Sequence, residues 1–449
     1  MARQEEESLG QTIACLRAAS QHAQARDLVL GSIRELGASG ETGTIRHAQA
    51  LIGLGRLHDD LGDYDAALQA FNDAADVADG LADGQGSAAI ALALAASVQG
   101  SIGRPEDAEL AMARALSLGG RALDPRDERW VEILAEAAML RAEQGDLDAA
   151  DGFIDQALGA VQQAPEGPER DRVLVEVLNA AGTAARLRGR YDLAEGHLRR
   201  ALELSEAQFG PESLEVVEAL NNLGITFKFS GRFGDGEIVY LRALGILERA
   251  FGESHPDVAS LYHNLGGLAH ARGDYAAAEP YARRSVEIRE RTLGAGHPIT
   301  ALDRAAYAAI LDRLGRSDEA EKLLRTALAT LTEAWGTDNH EVAAQLNNLA
   351  AIAQRRGALD EAESLYRQAL AIKERVLGSE SAELATTLNN LGTVMRKRGN
   401  YEEAERLYQR ALSILEASVE PTHPNLAATR SNLAKLERLR QAEDGAGKA

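Results

Sequence analysis

The 449-residue sequence has one cysteine, Cys15, so no internal disulfide can form, which predicts a reducing, intracellular setting. Aromatic residues make up only 4 % of the chain against 45 % hydrophobic overall. Large rings therefore cannot fill the core, and Ala and Leu must do so, which suits thin layers of helices. Bases are scarce relative to acids: 48 Lys and Arg stand against 69 Asp and Glu, a formal charge of −21. That balance favours solubility and argues against nonspecific nucleic-acid binding or attraction to anionic membranes. The longest mostly apolar run, 88–98, falls far short of the roughly 20 residues that span a bilayer, so no membrane insertion is expected. Residues 1–7 are acidic rather than basic, unlike the start of a secretory signal, and a cytoplasmic protein is expected. Catalytic signatures are missing too: there is no His-Glu-x-x-His, no phosphate loop and no Gly-x-Ser-x-Gly. The glycine-rich 37–43 follows a helical stretch and lacks Lys-Ser or Lys-Thr. The expectation is a noncatalytic chain without cofactor or metal.

What the chain does have is repetition. The stretch 388–426 opens Leu388-Asn389-Asn390-Leu391-Gly392, turns at Gly399-Asn400-Tyr401 and continues through Ala404, Tyr408 and Ala411 to His423-Pro424. With the turn glycine as marker, copies fall at Gly62, Gly103, Gly145, Gly189, Gly231, Gly273, Gly315, Gly357 and Gly399, with steps of 41, 42, 44 and then 42 throughout. A fixed period of this size predicts a stacked helical solenoid. Helical periodicity precedes each glycine (Leu220, Leu223, Gly224, Phe227) and follows it (Ala404, Leu407, Tyr408, Ala411, Leu412, Leu415), giving two amphipathic helices per unit. Positions five and twelve past the marker hold only Ala, Gly or Ser, from Ala67 and Ala74 to Ala404 and Ala411, as close helix approach requires. Nine past it a larger group fills the space beside them, Ala282 excepted. The marker glycine supplies the left-handed cap of the first helix.

These features over 51–439 resemble the tetratricopeptide repeat in the longer form found in kinesin light chains. The first three copies lack the Leu-Asn-Asn-Leu-Gly opening, so the family's groove is expected mainly in the other six. The resulting expectation is an all-α, right-handed α-solenoid superhelix of about nine helix pairs with capping helices. Its parts would be N-terminal capping helices over 1–48, divergent repeats over 49–170, regular repeats over 171–426, a capping helix over 427–441 and a disordered tail over 442–449. Within the first part, Leu28, Leu30 and Ile33 offer an apolar edge to the first repeat. No heptad pattern of the kind that joins kinesin light chains to a motor is evident.

His255, His297 and His423 recur before prolines, with His340 at the equivalent place. Zinc needs ligand atoms within about 2.0 to 2.3 Å, whereas packed helices stand roughly 8 to 10 Å apart, so one histidine per repeat reads as a helix start, not a metal site.

The asparagines are more informative. Asn222, Asn264, Asn348, Asn390 and Asn432 hold one register position, and Asn179, Asn221, Asn347 and Asn389 the position before it. At 100° per residue Asn221 and Asn222 share a face with Ile225, Lys228 and Phe229, opposite Leu220, Leu223, Gly224 and Phe227. In the resembled family this is the concave face, where such asparagines grip the backbone of an extended peptide. The alternative is that the amides bond the neighbouring repeat and hold the stack; an amide has donors and an acceptor enough for both. One turn on, the same face carries Arg186, Lys228, His270, Arg313, Arg355, Arg396, Lys397 and Arg438, where the first repeats place Asp59, Asp60 and Glu143. Cations favour any helix C-terminus, but those acids show that the position does not demand a base. The expected function is a scaffold or adaptor gripping an extended, acidic partner segment through Asn179, Asn221, Asn222, Lys228, Asn264, His270, Asn347, Asn348, Arg355, Asn389, Asn390, Arg396, Lys397 and Asn432. The alternative is a sensor whose superhelix changes compactness on binding a peptide or metabolite.

Overall fold

The computed structural model describes residues 22–60, 63–102, 104–418 and 424–446. Cys15, the marker glycines Gly62 and Gly103, His423, residues 1–21 and residues 447–449 lie outside the described residues. The described chain divides into two compact units, Met1–Gly273 and Asp274–Ala449.

The first unit contains α1 (His22–Ala38), α2 (Ile45–Asp60), α3 (Tyr64–Asp79), α4 (Gln85–Ser101), α5 (Pro105–Ala122), α6 (Glu128–Glu143), α7 (Leu147–Gln163), α8 (Pro168–Leu187), α9 (Tyr191–Phe209), α10 (Val217–Phe229), α11 (Phe233–Phe251) and α12 (Pro256–Arg272). The second contains α13 (Tyr275–Thr292), α14 (Pro298–Arg313), α15 (Ser317–Trp335), α16 (His340–Arg355), α17 (Leu359–Leu377), α18 (Leu384–Lys397), α19 (Tyr401–Ser418) and α20 (Pro424–Ala446). Each unit is an all-α solenoid in which helices pack on their sequence neighbours, and α6 packs as much on α4 and α8. No helix among the described residues is long and apolar enough to cross a membrane. Helix α20 extends past the expected end at 441, because Ala442 and Glu443 continue a helix-favouring composition.

Sequence dictates each joint. The marker glycines from Gly145 to Gly399 hold φ between 76° and 84°, the left-handed conformation that closes the first helix of each pair at little steric cost. The small residues five and twelve past the marker are buried throughout, from Ala67 and Ala74 to Ala404 and Ala411. Their partner nine past the marker is buried as well, and its size is matched across most pairs, though Tyr366 has Ala350 at the matching register. Phe71, Leu198, Tyr240 and Tyr408 lie over Gly55, Gly182, Gly224 and Gly392, where an added Cβ would come within 3.0 Å of the overlying side chain. Where the residue is Met112, Ile154 or Leu324, the same register of the first helix holds buried Ala96, Ala138 or Ala308.

Arginines at the turns couple successive pairs. Arg188 meets Asp151 at 3.0 Å, Arg232 meets Glu195 at 2.6 Å, Arg272 meets Glu237 at 3.0 Å, Arg316 meets Glu279 at 3.6 Å and Arg398 meets Glu363 at 3.0 Å. Arg356–Glu321 and Arg440–Glu405 complete the series. Every acid in it stands six past a marker glycine, and every arginine belongs to the next repeat. Each rung is partly exposed and worth at most about 1 kcal/mol; together they fix which surface of one pair meets the next.

One expectation at the N-terminal cap is corrected. Leu28 is 38 % exposed, and the packed edge is Ala25, Val29 and Ile33 against Leu54 and Leu57. The i, i+4, i+8 spacing of Ala25, Val29 and Ile33 keeps those three on one helical face, from which Leu28 is rotated away.

Candidate functional site

In the first unit, α10 is oriented by its apolar side: Leu220, Leu223, Gly224 and Phe227 are buried. Asn221, Asn222, Ile225 and Lys228 are therefore left half-buried on the other face, and Phe229 is 55 % exposed beside them. The asparagines form cross-repeat contacts: Asn264 Nδ2 donates to Asn221 Oδ1 at 2.7 Å. Asn179 of α8 is only 3 % exposed, and neither its Oδ1 nor its Nδ2 has a hydrogen-bond partner. Arg186 and Lys228 approach the Phe229 ring at 5.6 and 5.7 Å, with His270 at the next equivalent register. Burial, and then the neighbouring Arg186 charge, hold the Lys228 ammonium below the usual lysine range.

The second unit uses the same register differently. Asn389 Nδ2 donates to Thr429 Oγ1 at 2.6 Å and Asn432 Nδ2 donates to Asn389 Oδ1 at 3.4 Å, while Asn348 Nδ2 donates within its own helix to Gln345 Oε1 at 3.1 Å. Asn347 Oδ1 and Arg396 Nε are buried without partners, Asn390 is half-buried and Lys397 exposed. Arg355 is engaged by Asp312, whose side chain is 6 % exposed. The asparagines thus help to hold the stack where they cross repeats, while Asn179 and Asn347 keep buried amide atoms without hydrogen-bond partners.

The histidines act locally. His255 Nδ1 accepts from the Asp257 N–H and His297 Nδ1 from the Ile299 N–H, both at 3.2 Å, capping α12 and α14. His340 departs from this pattern. Asn339 caps α16 by accepting from the Glu341 N–H at 2.8 Å, and His340, one residue later, pairs its Nε2 with Glu383 at 2.6 Å. Hydrogen bonds to Glu341 and Glu383 raise its pKa from 6.5 to about 9. The stabilisation from this pair is therefore fully present below pH 6.5 and lost as pH rises through about 9. Both side chains meet solvent, so the effect is about 0.5 to 1 kcal/mol. Glu383→Gln should flatten the pH dependence of α16 and α18 stability across that window, as followed by hydrogen exchange.

Sequence reasoning missed a set of acids on the first unit's inner face. Glu132, Glu176 and Glu218 each stand thirteen before a marker glycine in three successive repeats, and Glu136 takes a position that asparagine holds elsewhere. The regular 44- and 42-residue spacing was the available signal. These four carboxylates and Asn179 line a cavity of about 250 Å³ with Ala135, Met139, Ala180, Thr183 and Asn222. Arg56 reaches Glu132 at 2.5 Å, and Arg172 reaches Glu176 at 2.8 Å. On α8 and α10 the acid (Glu176, Glu218) stands nearer the N-terminal end, asparagines (Asn179; Asn221 and Asn222) follow, and a base (Arg186, Lys228) lies about ten residues past the acid, roughly 15 Å, whereas α6 carries Glu136 in place of the asparagine.

Stacked helix pairs with an amide-bearing inner face define a helical-repeat interaction scaffold. The tetratricopeptide repeat pattern matches residues 48–79, 173–249, 230–291, 257–333, 341–417 and 383–446, and the chain belongs to the tetratricopeptide repeat family. No curated protein matches it. Among solved structures, a Rap protein complexed with competence and sporulation factor is 13 % identical over 83 % of this chain and 99 % of its own, with a TM-score of 0.57. Kinesin-light-chain-like repeats from Podosopora anserina are 21 % identical over 45 % of this chain and 97 % of theirs, at a TM-score of 0.39. BtubC from P. vanneervenii is 25 % identical over 50 % of this chain and 89 % of its own, at 0.40.

Proposed function

We propose that this protein is a noncatalytic cytoplasmic scaffold that holds an extended segment of a partner protein on its asparagine-bearing faces. The observation carrying the reading is the set of buried amide atoms without hydrogen-bond partners there, both on Asn179 and the Oδ1 of Asn347, together with Arg186 and Lys228 beside the exposed Phe229 ring. An extended peptide carries one N–H and one C=O per residue, which amides can meet from both sides. Arg186 and Lys228 stand close enough for the first to depress the second, and an acidic side chain between them would relieve that repulsion. This supports the preference for an acidic segment.

The test is capture from host lysate by the intact chain and by a variant combining Asn222→Ala, Asn264→Ala, Asn348→Ala and Asn390→Ala, with folding checked by circular dichroism. The intact chain should retain a partner that the variant loses at least about ten-fold, the equivalent of one or two hydrogen bonds. Lys228→Glu should weaken capture as well. Equal capture by all three would overturn the reading.

A further inference from the structure

We propose that the cavity between α6, α8 and α10 binds a guanidinium or primary ammonium group, the head of an arginine or lysine side chain in an extended peptide. The proposal rests on the peptide-binding reading only for the source of the cation; the preference for a cation is read from the cavity's own residues.

The charges do not balance. Glu132, Glu136, Glu176 and Glu218 face Arg56 and Arg172, which leaves an excess of two carboxylates when all are ionised. Burial is the larger reason that Glu136 and Glu176 are both pushed up to about 7; the Ser97 hydroxyl bonded to Glu136 and the two arginines oppose the shift, while Glu132 and Glu218 add to it. Second, Asn179 lies in the wall with both amide atoms unmet, an unfavourable arrangement for a buried amide unless something fills it. Its Oδ1 is an acceptor for a cationic N–H, and its Nδ2 a donor for a peptide carbonyl. Third, the size suits one side chain. At about 250 Å³ the cavity exceeds several waters but falls below the usual span of pockets for drug-sized ligands. Met139 and Ala180 supply an apolar lining against which an alkyl stem can lie. Among the described residues no three His, Cys, Asp or Glu converge closely enough to hold a metal ion. Dispersed acceptors of this kind suit a cation that carries several N–H donors, as guanidinium and ammonium groups do, better than a metal ion.

The test is a methyl NMR titration of the full chain, read at Met139, one of only four methionines. The probes are capped pentapeptides of alanine with a central Arg, Lys or Glu, and free agmatine. The Arg and Lys peptides should shift the Met139 signal with at least ten-fold higher affinity than the Glu peptide. Combining Glu136→Gln with Glu176→Gln should weaken them at least ten-fold, and Asn179→Ala several-fold. Wild-type affinity should fall as pH drops from 8 to 6 while the double variant stays flat, because protonation at about 7 removes the attracting charges. Agmatine binding as tightly as the Arg peptide would support the cation site and assign it to free amines; weaker binding would support it and assign it to peptides. Cationic probes that bind no better than the Glu peptide, or that ignore the Gln substitutions, would overturn the proposal. Partner capture that depends on the asparagines alone would, in that case, leave the scaffold reading standing.

Discussion

Replacing Tyr408 by Ala should destabilise the C-terminal repeats by about 3 to 5 kcal/mol, as truncating a fully buried ring does. The ring is 0 % exposed and lies over Gly392, where a Cβ would stand 2.7 Å from its Cε1 atom. Truncation therefore empties a space that the absence of a side chain at 392 had created for it, and little nearby can collapse into it. The hydroxyl contributes separately: it lies 3.0 Å from Thr393 Oγ1, so Tyr408→Phe should cost only about 1 kcal/mol. The equivalent change at Tyr240 should be neutral or stabilising, since that hydroxyl is buried with no partner. Urea unfolding of the three variants separates volume from hydrogen bonding. A Tyr408→Ala loss no greater than that of Tyr408→Phe would show that the pair does not close on the ring.

The second large effect is expected at Asp303, 4 % exposed at the contact of α13 with α14. Its carboxylate accepts from the Ser285 hydroxyl and stands 3.5 Å from Arg289 Nε, and Arg289 is itself only 8 % exposed. Asp303→Ala takes the acid from a buried guanidinium and should cost about 3 to 5 kcal/mol. Combining Asp303→Leu with Arg289→Met removes both charges at once and should recover most of that loss, because the two no longer need to be desolvated. Denaturant midpoints of the single and paired variants decide the matter: a paired variant as unstable as Asp303→Ala would mean that shape, not charge, holds this contact.

The fold was legible because its rule is local. Spacing of glycines and small residues is visible in a string of letters, and it defines the helix pair and the stack. What stayed hidden depends on pairing across repeats. Ser285 reads as another small residue at a close approach, and only its position facing Asp303 makes it a polar partner. Arg355 reads as a groove cation, and only the Asp312 carboxylate engages it. A further glycine series, Gly210, Gly252, Gly294, Gly336 and Gly378, all at positive φ, repeats every 42 residues at the ends of the second helices, where the sequence shows only recurring connections such as those opening at Gly252 and Gly294. The glutamates of the first unit are hard to see in the sequence because acids near helix N-terminal ends are common, and Glu136 takes the asparagine position in its repeat.

The turn arginines make this architecture editable in whole lengths. Each rung joins an acid of one pair to an arginine of the next, so excising 317–358 removes Glu321 and Arg356 together. It leaves Glu279–Arg316 and Glu363–Arg398 with both ends in place, and brings Arg316 directly to Leu359, the start of another second helix. A gene encoding such a chain can therefore lose or gain a 42-residue word with the turn rungs intact, although on that excision the Asp338–Arg375 and His340–Glu383 pairs each lose one member. The length of the array is open to change by duplication alone, and on the proposed reading so is the length of partner segment that it could hold.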